Sequence, residues 1–173
     1  MNRFAMLPLT WPFVLSDVFR LGIAYLLALP IGWNREREHR SAGLRTFPIV
    51  AVAACAFTLL GTSIPGATND SYSRILQGLI TGIGFIGGGA ILHDKGMATG
   101  TETAASIWSI GIVGAAVAFG RYDIALLLTL ITLLTFKVLT PLKRRLDEPP
   151  LNGPATSVAK PDSADSDASA RPQ

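Results

Sequence analysis

The sequence predicts an all-α, polytopic membrane protein, a bundle of about five transmembrane helices with its N-terminus outside and its C-terminus inside. Three observations predict it. Of the 173 residues, 49% are apolar and only 16% charged, and the mean hydropathy of +0.41 is high for a water-soluble domain. The apolar residues gather into five stretches, each close to the ~20 residues that a helix needs to cross hydrocarbon. Between the first two lies Asn34 to Gly43, a polar run rich in arginine and glutamate. Such a cluster cannot lie in hydrocarbon, so it marks a bilayer surface.

The first stretch, Phe13 to Trp33, carries Asp17 and Arg20. Three residues apart, they share a helix face, where they neutralise each other, reach another helix or snorkel to the interface. A cleaved signal peptide has positive charge ahead of its apolar core. Here the arginines follow the core, and the segment reads as a retained helix. The second stretch, Leu44 to Ile64, begins beside Arg45, which must either snorkel back or find an internal partner. Its Cys55 lies mid-run and reads as a packing residue; a single cysteine excludes an internal disulfide framework.

Turn residues then separate the remaining stretches. Pro65, Gly66, Asn69 and Asp70 precede the third, Ile75 to Leu92, and His93 to Gly96 precede the fourth, Thr101 to Phe119. Only Gly120 and Arg121 divide the fourth from the fifth, Tyr122 to Leu142, so these two must form a tight antiparallel hairpin. Arg35, Arg37, Arg40 and Arg45 flank the first connection, and Lys137, Lys143, Arg144 and Arg145 the end of the fifth helix. An odd number of spans puts both basic regions on one side, which the positive-inside rule makes the cytoplasm. The chain divides into an N-terminal segment (1–12), the five-helix domain (13–146) and a polar tail (147–173) rich in Pro, Ser, Ala and Asp, expected to be a disordered cytoplasmic extension.

The familiar catalytic patterns are missing from the sequence. His39, His93 and Cys55 do not form a metal-ligand pattern. Gly82, Gly84 and Gly87 mimic a dinucleotide fingerprint, yet they sit inside an apolar helix with no strand before them. The charge of +3 forms no basic stripe, which argues against nucleic acid as a partner. The chain therefore reads as a non-enzyme with no cofactor demanded.

Polar and small residues at membrane depth are the candidates for function. At the end of the first helix, after Asn34, the residues Arg35, Glu36, Arg37 and Glu38 alternate in sign. They either cap the helix in solvent, the reading that suits Arg37 and Glu38, or turn inward to pair with Arg45 and with carboxylates of the next loop on that side. In the third helix Gly78, Gly82, Gly84, Gly87, Gly88 and Gly89 offer either a close-packing seam or, with Gln77 and Thr81, a narrow polar cavity. In the fourth, Glu102, Ser106 and Ser109 share a face, with Thr103 beside them. Glu102 suits either the helix N-terminus or an ion pair with Arg35 or Arg45.

These residues also carry a resemblance. Ile31-Gly32, Arg35-Glu36 and Ala42-Gly43-Leu44-Arg45-Thr46, followed by Gly82 to Ile91 and Gly100 to Trp108, are similar to the paired signature blocks of the MgtC/SapB family of bacterial inner-membrane proteins. The likeness runs from about Asp17 to Leu142. It implies a five-helix hydrophobic domain in a bacterial inner membrane, crossing it several times, and a link to growth in low magnesium. In some pathogens it implies survival inside macrophages. It further implies a small regulator of other membrane machines, such as the proton-translocating ATP synthase, with Arg35, Glu36, Gly43, Arg45, Thr46, the glycines from Gly82 to Gly89, and Glu102 to Ser106 as its functional positions.

The chain departs from that pattern at Asn34, where a glutamate is common, at Glu102, where Thr or Asn is usual, and at Ser109, where the virulence-linked branch carries Cys. The tail is expected to stand where longer members of that family carry a soluble C-terminal domain. Expected partners are the lipid bilayer, another membrane protein and a second copy of the chain. A conductor of Mg²⁺ or protons, acting as an oligomer through Asp17, Gln77, Thr81 and Glu102, is the competing expectation. A hydrated Mg²⁺ takes one or two carboxylates, for which Glu36 and Glu102 are the candidates.

Overall fold

The computed structural model describes residues 11–38, 42–66, 68–94 and 97–147. The expected N-terminal segment, apart from its last two residues, and the polar tail beyond Asp147 lie outside them. The described chain forms five helices: α1 (Trp11–Arg37), α2 (Thr46–Thr62), α3 (Asn69–Gly89), α4 (Thr101–Ala118) and α5 (Tyr122–Asp147). A short antiparallel hairpin, β1 (Leu92–Asp94) and β2 (Met97–Thr99), joins α3 to α4, with Leu92 paired to Thr99. It stands where the sequence indicates a turn, and its ladder satisfies backbone groups that a bare loop would leave open.

Among the described residues, three helices are long and apolar enough to cross a membrane: α1, α4 and the Tyr122–Leu139 part of α5. The apolar α2 is shorter, at 17 residues. At the ordinary helical rise it is roughly 25 Å long, just short of the hydrocarbon thickness. The third apolar stretch differs from expectation at both ends. The helix begins six residues earlier, at Asn69, because Thr68 and Ser71 form a reciprocal capping box there. It stops at Gly89, three short of Leu92, where three consecutive glycines give way to the hairpin.

α1 also outruns the sequence boundary. It continues through Asn34 to Arg37, so the polar run opens as a charged helical turn before it becomes a loop. Asn34 and Glu38, one turn apart, hydrogen-bond side chain to side chain.

α4 is the hub. It packs against α1, α2, α3 and α5 and buries Ile107, Ile110, Val113 and Val117 against Ala24, Ala28, Ile31, Phe47, Ala51 and Cys55. Small residues allow the approach. Gly114 lies on the Ala51 carbonyl of α2, where an added Cβ would collide with backbone. Two glycines set the ends of α4. Gly100 adopts φ +83° ahead of its first turn, with the Ala90 carbonyl where a Cβ would stand, and Gly120 adopts φ +72° to turn the chain into α5.

Outward faces are apolar. Phe13, Leu15, Phe19 and Leu26 on α1, Ile49 and Leu60 on α2, and Leu127, Leu130 and Leu134 on α5 are all exposed. Water would not tolerate so continuous a surface, whereas hydrocarbon demands it. The chain is an all-α membrane bundle.

Candidate functional site

At the end of α1, the helix rotation that puts Ala24, Ala28 and Ile31 into the core carries Arg35 in with them. Its side chain is fully buried. An unpaired guanidinium at that depth is prohibitive, and the surrounding helices answer it. Arg35 Nη1 donates to Glu102 Oε2 at 3.1 Å and to Glu38 Oε2 at 3.4 Å. Nη2 donates to Thr103 Oγ1 at 3.0 Å. The guanidinium lies over the Phe136 ring of α5, 5.0 Å from its centroid, while Nε, which is buried, has no hydrogen-bond acceptor among the described residues. One side chain thus ties α1, α4 and α5 together.

Local sequence accounts for each contributor. Glu102 occupies the first turn of α4, where the amides of a helix start favour a carboxylate. With 35% of its side chain exposed, it keeps water on one edge. Thr103 follows and points inward. Ser106, a turn later, is buried and donates to the Glu102 carbonyl at 2.6 Å. Glu38 stands three residues beyond Arg35, just past the end of α1.

The loop after α1 folds back on it. Gly43 lies against Gly32, and a Cβ on Gly43 would strike the Glu36 carboxylate. That carboxylate accepts the Leu44 amide at 3.1 Å. The Arg35-Glu36 and Gly43-Leu44 elements of the sequence pattern are therefore neighbours in space: one carboxylate latches the loop that the other pattern supplies. Arg45 is exposed at the entrance to α2 and supplies no cap, and Thr46, half-buried, opens that helix. Of the two expected partners for Glu102, the structure selects Arg35.

About four turns earlier on α1, Arg20 donates to the Ala118 carbonyl at 2.9 Å, which places a cation on the C-terminus of α4. It reaches another helix, and Asp17, one turn away, is exposed. On α3 only Ile83 and Gly87 are buried, with Gly87 against Ala104 and Gly84 near Trp108. Gly82, Gly88 and Gly89 have nothing within 4 Å of an added Cβ, and Gly78 meets only Phe57. Gln77 and Thr81 are exposed on the same outward side.

Glu36 and Glu102 are engaged separately, one by the Leu44 amide and the other by Arg35. A guanidinium beside Glu102 works against a second cation there. Among the described residues, no group of three His, Cys, Asp or Glu side chains is placed to hold a metal ion.

The sequence reads Glu38 as part of a solvated cap, whereas it turns in to Arg35, and sequence reading passed over Phe136. Glu38 carries a signal in its spacing from Arg35. Phe136 carries none, since nothing distinguishes it from the other apolar residues of α5.

Comparison with known proteins bears on this arrangement. Protein SrpB of Synechococcus elongatus is 36% identical over 138 residues, covering 73% of this chain and 76% of that protein. Protein MgtC of Salmonella typhimurium strain LT2 is 33% identical over 144 residues, which span 83% of this chain but 59% of the relative. Protein MgtC of Brucella abortus strain 2308 is 34% identical over 124 residues, covering 72% of this chain and 51% of that protein. This chain thus matches only a little over half the length of these MgtC relatives. No solved structure matches it. The profile of the MgtC family matches residues 21–145, a stretch that holds the Arg35 cluster, the latched loop, α2, α3 and most of α1 and α5, and the chain belongs to the MgtC family.

Proposed function

We propose that this protein is a non-enzymatic, multi-pass protein of the bacterial inner membrane that regulates another membrane machine under magnesium limitation or related stress. The reading places the Arg35 end of the bundle in the cytoplasm, with the N-terminus out and the C-terminus in. The observation that carries it is the Arg35 cluster. Arg35 is spent on Glu38, Glu102 and Thr103 and on holding three helices together, which suits a rigid platform. The residues left for a partner are those around it, Arg37, Arg45 and the latched loop, together with the outward glycine face of α3.

The family resemblance motivates the magnesium context, and the full-length activities of the MgtC relatives are carried here as part of the proposal. The conducting alternative asks Asp17, Gln77, Thr81 and Glu102 to line one path. In a single copy Asp17, Gln77 and Thr81 are exposed and Glu102 is engaged by Arg35, so that reading requires further copies to enclose the path.

The test is reconstitution of the purified chain into sealed liposomes, with Mg²⁺ and proton flux followed with and without a membrane potential. In parallel, the chain is purified from native membranes in mild detergent. The expected result is silent liposomes and a co-purifying membrane protein that Arg45→Glu releases. Selective flux abolished by Glu102→Ala would overturn the regulatory reading.

A further inference from the structure

α3 meets α4 through Ile83, which fills the notch at Gly111, and through Gly87 on Ala104. Both contacts lie in the second half of α3, so towards its N-terminus the two helices splay. The splay leaves a groove of about 340 Å³, walled by Leu76 and Ile80 of α3 and by Ile112 and Ala115 of α4, with Arg121 at its mouth. Everything along the walls is apolar, and the groove opens on the lipid-facing flank of the bundle. Its mouth is different in kind. There Arg121 pairs with Asp123 at 2.8 Å, both largely exposed, and Asp123 holds the guanidinium pKa above its ordinary value.

An acyl chain will enter any open apolar groove in hydrocarbon; the mouth is what selects. It offers a cation and an anion side by side, fixed by the tight α4–α5 turn. A phosphate followed by an ammonium presents the complementary pair in the complementary order. A headgroup with phosphate alone would satisfy Arg121 and leave Asp123 facing negative charge. An exposed ion pair of this kind is weak, so a headgroup exchanges it for its own contacts at little cost.

We propose that this groove is a binding site for a zwitterionic aminophospholipid, with one acyl chain between α3 and α4, the phosphate on Arg121 and the ammonium on Asp123. The site lies at the end of the bundle away from Arg35 and is independent of the regulatory reading.

Native mass spectrometry of the detergent-purified full chain, offered equal amounts of phosphatidylethanolamine and phosphatidylglycerol, tests it. The wild type should retain phosphatidylethanolamine several-fold over phosphatidylglycerol. Arg121→Ala should lose that adduct, and so should Ile80→Trp, which fills the groove from an exposed position. Asp123→Asn should invert the preference towards phosphatidylglycerol, with unchanged thermal unfolding showing that each variant is folded. Three outcomes would overturn the proposal: a wild-type preference for phosphatidylglycerol, adducts indifferent to Arg121→Ala and Ile80→Trp, or displacement by glycerophosphoethanolamine as effective as by the whole lipid.

Discussion

Arg20 and Arg35 of α1 hold opposite ends of the same helix. Arg20 donates to the Ala118 carbonyl at the C-terminus of α4, and Arg35 to Glu102 and Thr103 in its first turn. At the ordinary rise the two arginines stand roughly 22 Å apart along α1. That separation nearly matches the length of α4, so the antiparallel pair is pinned at both ends. Each cation sits where the helix dipole permits it: Arg20 directly on the negative end, and Arg35 at the positive end only because Glu102 comes between.

The Arg35 end should be the more costly to break. Arg35→Ala removes a side chain on which three helices converge, and we expect a loss of about 3–5 kcal/mol, the range for breaking buried ion pairs. Glu102→Gln should cost about 1–2 kcal/mol, because Glu38 and Thr103 remain and water reaches the exposed edge of the carboxylate. Arg35→Lys should not rescue, since a point charge cannot reach Glu102 and Thr103 together or stack on Phe136. Thermal unfolding in detergent checks the order. Glu102→Gln as damaging as Arg35→Ala would mean that the carboxylate, and not the arginine's whole set of contacts, secures this corner.

At the Arg20 end one charge-to-carbonyl bond is at stake. Arg20→Gln should cost about 1–2 kcal/mol, the upper range for a cation on a helix C-terminus. With Glu102→Gln the effects should add, because the two sites lie at opposite ends of α4 and share no partner. A coupling much above 0.5 kcal/mol, roughly the tolerance for independent sites, would show that the two ends communicate through the helix.

Two classes of glycine should separate under substitution. Gly114→Ala drives a methyl onto the Ala51 backbone and should cost about 1–3 kcal/mol, as overpacking does. Gly82→Ala and Gly88→Ala meet open space and should stabilise the isolated protein by about 0.4–1 kcal/mol through helix propensity. If the outward face of α3 receives a partner, Gly82→Ile should release that partner without lowering the unfolding temperature. Release accompanied by unfolding would remove the evidence for docking.

Sequence pattern made this fold legible to an uneven degree. Five apolar stretches and their polar breaks yield the helices, because hydrocarbon forces backbone pairing within each segment. The Arg35–Glu102 contact was accessible as one of two pairings, since both residues had to lie near one surface. Choosing Arg35 over Arg45 required the rotation of α1, which follows from packing across several helices. Glycine spacing points to α3 as a seam, yet the glycine pressed against another helix's backbone is Gly114 on α4. Spacing records which helix faces are small, and only the assembled bundle shows which of them is occupied. Helix ends were least legible. The capping box at Thr68 extends α3 through polar residues that hydropathy excludes, and the glycine triplet ends it early.

The proposed orientation makes an accessibility prediction that depends on none of these energies. Cys55 is buried in the core, so Cys55→Ser supplies a background without reactive thiols. On it, Thr68→Cys, before α3, lies at the same end of the bundle as Arg20, and Arg45→Cys lies at the Arg35 end; both positions are exposed. With the N-terminus out, a membrane-impermeant maleimide added to intact cells should label Thr68→Cys and leave Arg45→Cys untouched until the membrane is opened. The converse pattern would invert the bundle. It would then set Arg37, Arg45 and the latched loop outside the cell, out of reach of any cytoplasmic partner, and the regulatory surface would have to be sought at the Arg121 end. Labelling of both positions in every cell would mean dual insertion, and the basic residues around the first connection would then not be what orients the chain.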